Sequence, residues 1–163
     1  MIPSFRDSTL EDALERGYDV VQVKYPGLSC RATCRGKTIV YSTPLYVDLP
    51  SSDCAEIANG VQVLGVYVTG ASPGVLGHFW AYDSIQQMKY VDRYLYLRNL
   101  FVAKCFPSSW ELVPSYQISK LTEVWTTFVE NGIGNGVVFK RALGFLDDEV
   151  LVLRCVAKNG RVL

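Results

Sequence analysis

The feature that most narrows what this chain can fold into is a succession of short β-branched and aromatic runs, each broken by Gly or Pro. YDVVQVKY (18–25), SCRATCRG (29–36), KTIVYSTPLYV (37–47), VQVLGVYVTG (61–70) and HFWAYDSI (78–85) all have this form. Such residues suit a pleated, half-buried surface, and the breakers end each run after a strand's length, so the pattern predicts strands. WELVP (110–114) predicts one more. GVVFKRALGFLDDEVLVLRCV (136–156) predicts two strands joined by an acidic turn in which Asp147, Asp148 and Glu149 are solvated.

Helical periodicity appears in only a few places. In SKLTEVWTTFVENG (119–132), Leu121, Val124, Trp125, Phe128 and Val129 recur at i, i+3, i+4, i+7 and i+8 before Asn131 and Gly132. That stripe predicts a helix laid on a sheet. VDRYLYLRNLFVAK (91–104) is a second helix, and LEDALER (10–16) is a third, with Ser8 and Glu11 in capping-box spacing and Gly17 at the stop. The predicted class is therefore α+β, largely antiparallel with helices against the sheet.

Bulk properties then restrict function. At 163 residues and 49% hydrophobic, with 12% aromatic, the chain can bury a real core, and no repeat or linker divides it. Sixteen basic residues balance sixteen acidic ones, so no global field draws in a polyanion or a membrane, and any phosphate contact must be local. The N-terminus lacks an apolar signal region, and no stretch approaches the ~18–20 apolar residues of a membrane span, so a soluble, cytoplasmic protein is expected. The five cysteines form no CxxC pair, and His78 is the only histidine, so no metal site is expected. Cys30 and Cys34 share one face of a strand, which predicts core packing in a reducing compartment.

Chemistry concentrates at Lys24, at the end of the run VVQV and three residues before Gly27. A lysine that attacks a nucleotide α-phosphate needs a rigid support, backbone room beside it and partial neutrality. Neutralising an ordinary lysine at pH 7 costs about 4–5 kcal/mol unless burial or nearby cations lower its pKa. Lys140 and Arg154 are candidate neighbours of this kind, and Tyr82 is a candidate face for a base.

The order of these elements resembles the covalent nucleotidyltransferases, and among them the RNA ligases of the phage and RNA-editing type, relatives of DNA ligases and capping enzymes. VVQVKYPG is similar to the family's lysine-x-x-glycine motif, VQVLGVYVTG to its third motif, and FWAYD (79–83) to the aromatic motif that follows. NGVVFK (135–140) resembles the fourth motif, and LRCV (153–156) falls where the fifth has paired lysines. The resemblance implies the nucleotidyltransferase fold, an ATP-grasp-like ligase catalytic domain with antiparallel sheets around a nucleotide cleft. It further implies one domain over 1–163, with no OB-fold or other C-terminal domain. Lys24 takes the catalytic position, and Gly27, Phe79, Tyr82, Lys140 and Arg154 the nucleotide-binding ones, converging on one cleft. ATP or GTP is the implied cofactor. A nucleotide or RNA 5′ end, or a protein, is the implied partner, with no membrane.

The departures are as informative. Val66 and Asn135 stand where the family has glutamates, which weakens the case for Mg²⁺, a cation that prefers hard oxygen ligands. Ser29 replaces the usual Asn or Arg, Ser42 and Thr43 stand where a basic residue is expected, and Val156 replaces the second lysine of the fifth motif. Three readings remain open: a degenerate ligase-like pseudoenzyme that retains nucleotide or RNA 5′-end binding; a divergent active ligase or capping-type enzyme that nucleotidylates Lys24; and an assembly module that kept only the fold.

Overall fold

The computed structural model describes residues 5–44, 49–70 and 77–155. In chain order the elements are β1 (Phe5–Asp7), α1 (Leu10–Glu15), β2 (Val20–Val23), β3 (Leu28–Arg35), β4 (Thr38–Ser42), β5 (Ser52–Asp53), β6 (Gln62–Val68), β7 (His78–Ser84) and α2 (Tyr90–Val102). They continue through β8 (Trp110–Leu112), β9 (Tyr116–Gln117), α3 (Leu121–Val124), β10 (Gly136–Lys140) and β11 (Val150–Arg154). The strands form two sheets, of order β1-β11-β10-β2-β9 and β5-β4-β3-β6-β7-β8. Each is antiparallel except for one edge pair, β1 with β11 and β7 with β8. The class is α+β, as the sequence predicts. Residues 45–47 of the third predicted run lie outside the described residues.

The chain divides into two compact units. The first comprises 1–26, 87–90 and 114–163 and holds the five-stranded sheet. Its core face carries Val21, Val23, Val137, Phe139 and Leu151, all buried. The helix expected over 119–132 is present but uneven, a tight turn at Ile118–Lys120 leading into α3 and then a widened turn over Trp125–Val129. Leu121, Val124 and Val129 of the predicted stripe are buried, whereas Trp125 and Phe128 are half-buried. At the other end of the unit, α1 is capped by Thr9, not Ser8, whose hydroxyl instead donates to the Asp12 carboxylate at 3.1 Å. Thr9 Oγ1 accepts from Asp12 N, and Gly17 (φ 76°) ends the helix as expected.

The second unit comprises 27–86 and 91–113 around the six-stranded sheet. One sheet face, bearing Cys30, Ala32, Cys34, Ile39, Tyr41, Val63, Tyr67, Phe79 and Ala81, packs with Leu97 and Leu100 of α2 and with Trp110. Trp110 Nε1 donates to Tyr41 Oη at 2.8 Å, which satisfies the buried indole. Cys30 and Cys34 pack inward as the alternation predicts, and burial pushes both thiols up to about 12. A bidentate ion pair ties α2 to β7: Arg93 Nε and Nη2 meet Asp83 Oδ1 and Oδ2 at 2.9 and 3.0 Å.

Candidate functional site

Lys24 is placed by the end of β2, where the strand meets the start of β10. Lys24 N donates to Gly136 O at 2.8 Å, and Asn135 N donates to Lys24 O at 2.9 Å. Two residues thus oppose one, a step of the β-bulge type, which bends a strand locally and re-aims its side chains. The Asn135 amide comes to the lysine as a result: Lys24 Nζ donates to Asn135 Oδ1 at 3.1 Å. Gly136 in turn pairs with Arg154 on β11. Lys24, Gly136 and Arg154 therefore form a row across three strands on one face, and the middle residue has no side chain to fill the space between the two cations.

Gly136 is required by its backbone as well. Its φ of 151° is one that L residues rarely adopt, and a Cβ there would strike Leu153 O and approach Arg154 Cα to 3.0 Å. Arg154 is itself engaged, its Nε meeting Asp7 Oδ1 at 2.8 Å. Lys24 titrates below the usual lysine range, first because it is partly desolvated and then because of the Arg154 charge, with Asp7 acting in the opposite sense. A neutral amide stands where a carboxylate would have held the ammonium. Together these disfavour the charged form of the lysine relative to an exposed one.

This makes Lys24 testable by simple amine chemistry. It is expected to acetylate at lower pH than the exposed Lys37 and Lys120. Arg154→Gln removes a charge that disfavours the ammonium, so the pH of half-maximal Lys24 labelling should rise. Peptide-resolved mass spectrometry after brief acetylation across pH checks both, and an unmoved profile in the variant would refute the role given to Arg154.

Lys140 does not join the row. It pairs with Val20, four residues along β2 from Lys24, or about 13 Å at strand rise. It shares the sheet face but is buried, with Nζ 4.6 Å from the centre of the Tyr90 ring. Its ammonium makes a packed cation–π contact there, so Lys140 is not beside Lys24 as the sequence reading expects.

Gly27, Phe79 and Tyr82 belong to the second unit. Gly27 has φ 149°, and a Cβ there would lie 2.5 Å from Val66 Cγ1 and 2.8 Å from Tyr67 O, so close packing of β3 on β6 explains this glycine. Phe79 is fully buried, with its ring 4.4 Å from that of Trp110 and its edge over Gly65. Its ring is packed in the core of this unit, not exposed as a face for a ligand. Tyr82 sits where the β6–β7 register passes from Gly65↔Ala81 to Leu64↔Asp83, as the extra residue of a bulge. Val66 pairs with Trp80 and Ser29 on the face opposite the core.

Two groups were not singled out by sequence. Trp80, half-buried on that outer face, holds the His78 ring edge-on at 4.5 Å. Strand alternation separates 78, 80 from 79, 81, but which pair faces the core is decided by α2. Asp7 lies outside any motif, and only the β1–β11 pairing brings it to Arg154. Val156, the other fifth-motif position, lies outside the described residues.

A divalent metal finds little here. The Asn135 carbonyl oxygen is taken by Lys24, and Asp7 is paired with Arg154. Among the described residues no group of three His, Cys, Asp or Glu side chains is arranged to hold an ion. Nor, among them, is any helix long and apolar enough to cross a membrane.

Two mixed sheets joined in this order make a fold shared with ATP-dependent DNA and RNA ligases. Solved structures bear this out. A Lig E DNA ligase, described as binding DNA with a minimal scaffold, is 14% identical with a TM-score of 0.67, the match covering 94% of this chain and 68% of that one. The ATP-dependent DNA ligase of bacteriophage T7, in complex with ATP, is 10% identical with a TM-score of 0.66, covering 98% and 79%. An archaeal ATP-dependent RNA ligase is 16% identical with a TM-score of 0.62, covering 94% and 48%. No family model and no curated protein sequence matches the chain. At these identities the likeness is one of fold.

Proposed function

We propose that this protein is a degenerate ligase-like domain that binds a nucleotide or an RNA 5′ phosphate without forming a stable lysyl-nucleotide. The observation that carries this reading is the row of Lys24 and Arg154 on either side of Gly136, with the Asn135 amide on the lysine. Two cations with open backbone between them suit a phosphate, and the fold is shared with a DNA ligase solved with ATP. Bound charge is held by side chains alone, since the residues present do not fit a divalent metal.

The test is a titration of labelled ATP, GTP and 5′-phosphorylated RNA at low and moderate salt, with and without EDTA. Affinity should fall as salt rises, because phosphate contacts release counterions, and Lys24→Ala or Arg154→Ala should flatten that slope. EDTA should change little. Lys140→Ala should leave the slope nearly unchanged. No binding at low salt with millimolar ligand would remove the reading and leave an assembly module.

A further inference from the structure

We propose that the Asp7 carboxylate is a built-in competitor for this anion site, occupying Arg154 until an incoming phosphate displaces it. The inference rests on the anion-binding reading above and adds to it the group that limits affinity. β1 pairs in parallel with β11 so that Asp7 lies opposite Val152, two residues before Arg154. The carboxylate therefore lies on the face of the sheet that carries Lys24 and Arg154, and it meets Arg154 Nε at 2.8 Å.

Exposure makes the contact exchangeable. The Asp7 side chain is 74% exposed and that of Arg154 37%, so the pair is screened and weakly held, unlike a buried pair that cannot part. With Asp7 in place, the row carries a net charge of about +1 from Lys24 and Arg154 less one carboxylate, and without it about +2. Lys24 responds to both neighbours, its pKa lowered by Arg154 and raised by Asp7. β1 does not depend on the carboxylate for its position, because its backbone register is fixed along β11 and Ser8 N donates to Val152 O at 2.9 Å. Asp7→Asn should therefore remove the competitor and leave the strand.

Inorganic tripolyphosphate is the probe, because it has no base and reports the cations alone. By calorimetry at low salt, Asp7→Asn should bind it about two- to fivefold more tightly than the native protein, as expected for one exposed ion pair. The gain should shrink in an Arg154→Gln background. Unchanged or weaker binding by Asp7→Asn overturns the proposal. So does a loss seen only with Mg²⁺ present, which would make Asp7 a metal ligand instead. A second readout separates this inference from the one it rests on: Asp7→Asn should lower the pH of Lys24 acetylation whether or not any anion binds. If neither protein binds tripolyphosphate, the anion site and its competitor both fall; if the native protein binds and the variant gains nothing, only the competitor does.

Discussion

Asp83→Asn is expected to cost about 3–5 kcal/mol of folding stability, and Arg93→Met a similar amount, because each leaves its partner charged, buried and uncompensated. The two side chains are 3% and 4% exposed and meet through two parallel hydrogen bonds. Asp83 Oδ1 also accepts from Ser84 N at 2.8 Å, and Ser84 Oγ donates to Arg93 O at 3.0 Å, so α2 is joined to β7 by side chain and backbone together. Asp83→Leu with Arg93→Met should recover much of the loss, since the cost of one orphaned charge disappears when both are removed. Urea denaturation measures all three, with Lys120→Ala as the comparison. That lysine pairs with Glu123 at 3.7 Å in full view of solvent and should cost less than about 0.5 kcal/mol. If Asp83→Asn costs under about 1 kcal/mol, the ion pair does not hold α2 to the sheet.

This result bears on how the FWAYD segment is read. Its aspartate closes a motif associated with nucleotide chemistry, yet here it is a fastener between a helix and a strand. Strand identity was legible from residues 78–85 because β-branched and aromatic residues alternate between breakers. The roles of individual residues were not, because alternation leaves open which face is covered. Phe79 faces inward because Leu97 and Leu100 of α2 cover that side, and Tyr82 escapes the alternation because a bulge adds one residue to β7. The same limit applies to Lys140. Its motif places it four residues past Gly136, but only register against β2 shows that this carries it a strand's length from Lys24. Lys24 and Arg154 were named together, with Lys140, only through the resemblance; that their strands meet at Gly136 comes from the strand register, which no local pattern gives. Their third neighbour, Asp7, comes from a three-residue strand with an exposed side of mixed polarity, and nothing in that stretch announces its partner.

Incubation with ATP or GTP and either Mg²⁺ or Mn²⁺ is expected to leave the protein almost entirely unmodified by intact mass, where a working ligase would be largely nucleotidylated. Lys24 itself is not the obstacle. Burial and Arg154 lower its pKa, which acts in favour of the neutral amine and not against it. The obstacle is the leaving group. As pyrophosphate departs, charge builds on oxygens that a metal and its carboxylates would stabilise, and each lost preorganised partner commonly costs about 10²- to 10³-fold in rate. On the resemblance, Val66 and Asn135 stand where two such carboxylates are expected, which if both are lost independently makes about 10⁴-fold or more. Asn135 accepts an N–H from Lys24 Nζ through its carbonyl oxygen, a contact that orients the amine without taking up its lone pair. A stoichiometric adduct of one nucleoside monophosphate, lost in Lys24→Ala, would show that some other group supplies the missing stabilisation and would establish a divergent active enzyme. Asn135→Glu separates the two causes: it restores a carboxylate but raises the Lys24 pKa. A trace adduct that grows in this variant with Mn²⁺ therefore identifies the metal-binding carboxylate, not lysine basicity, as what the native chain lacks.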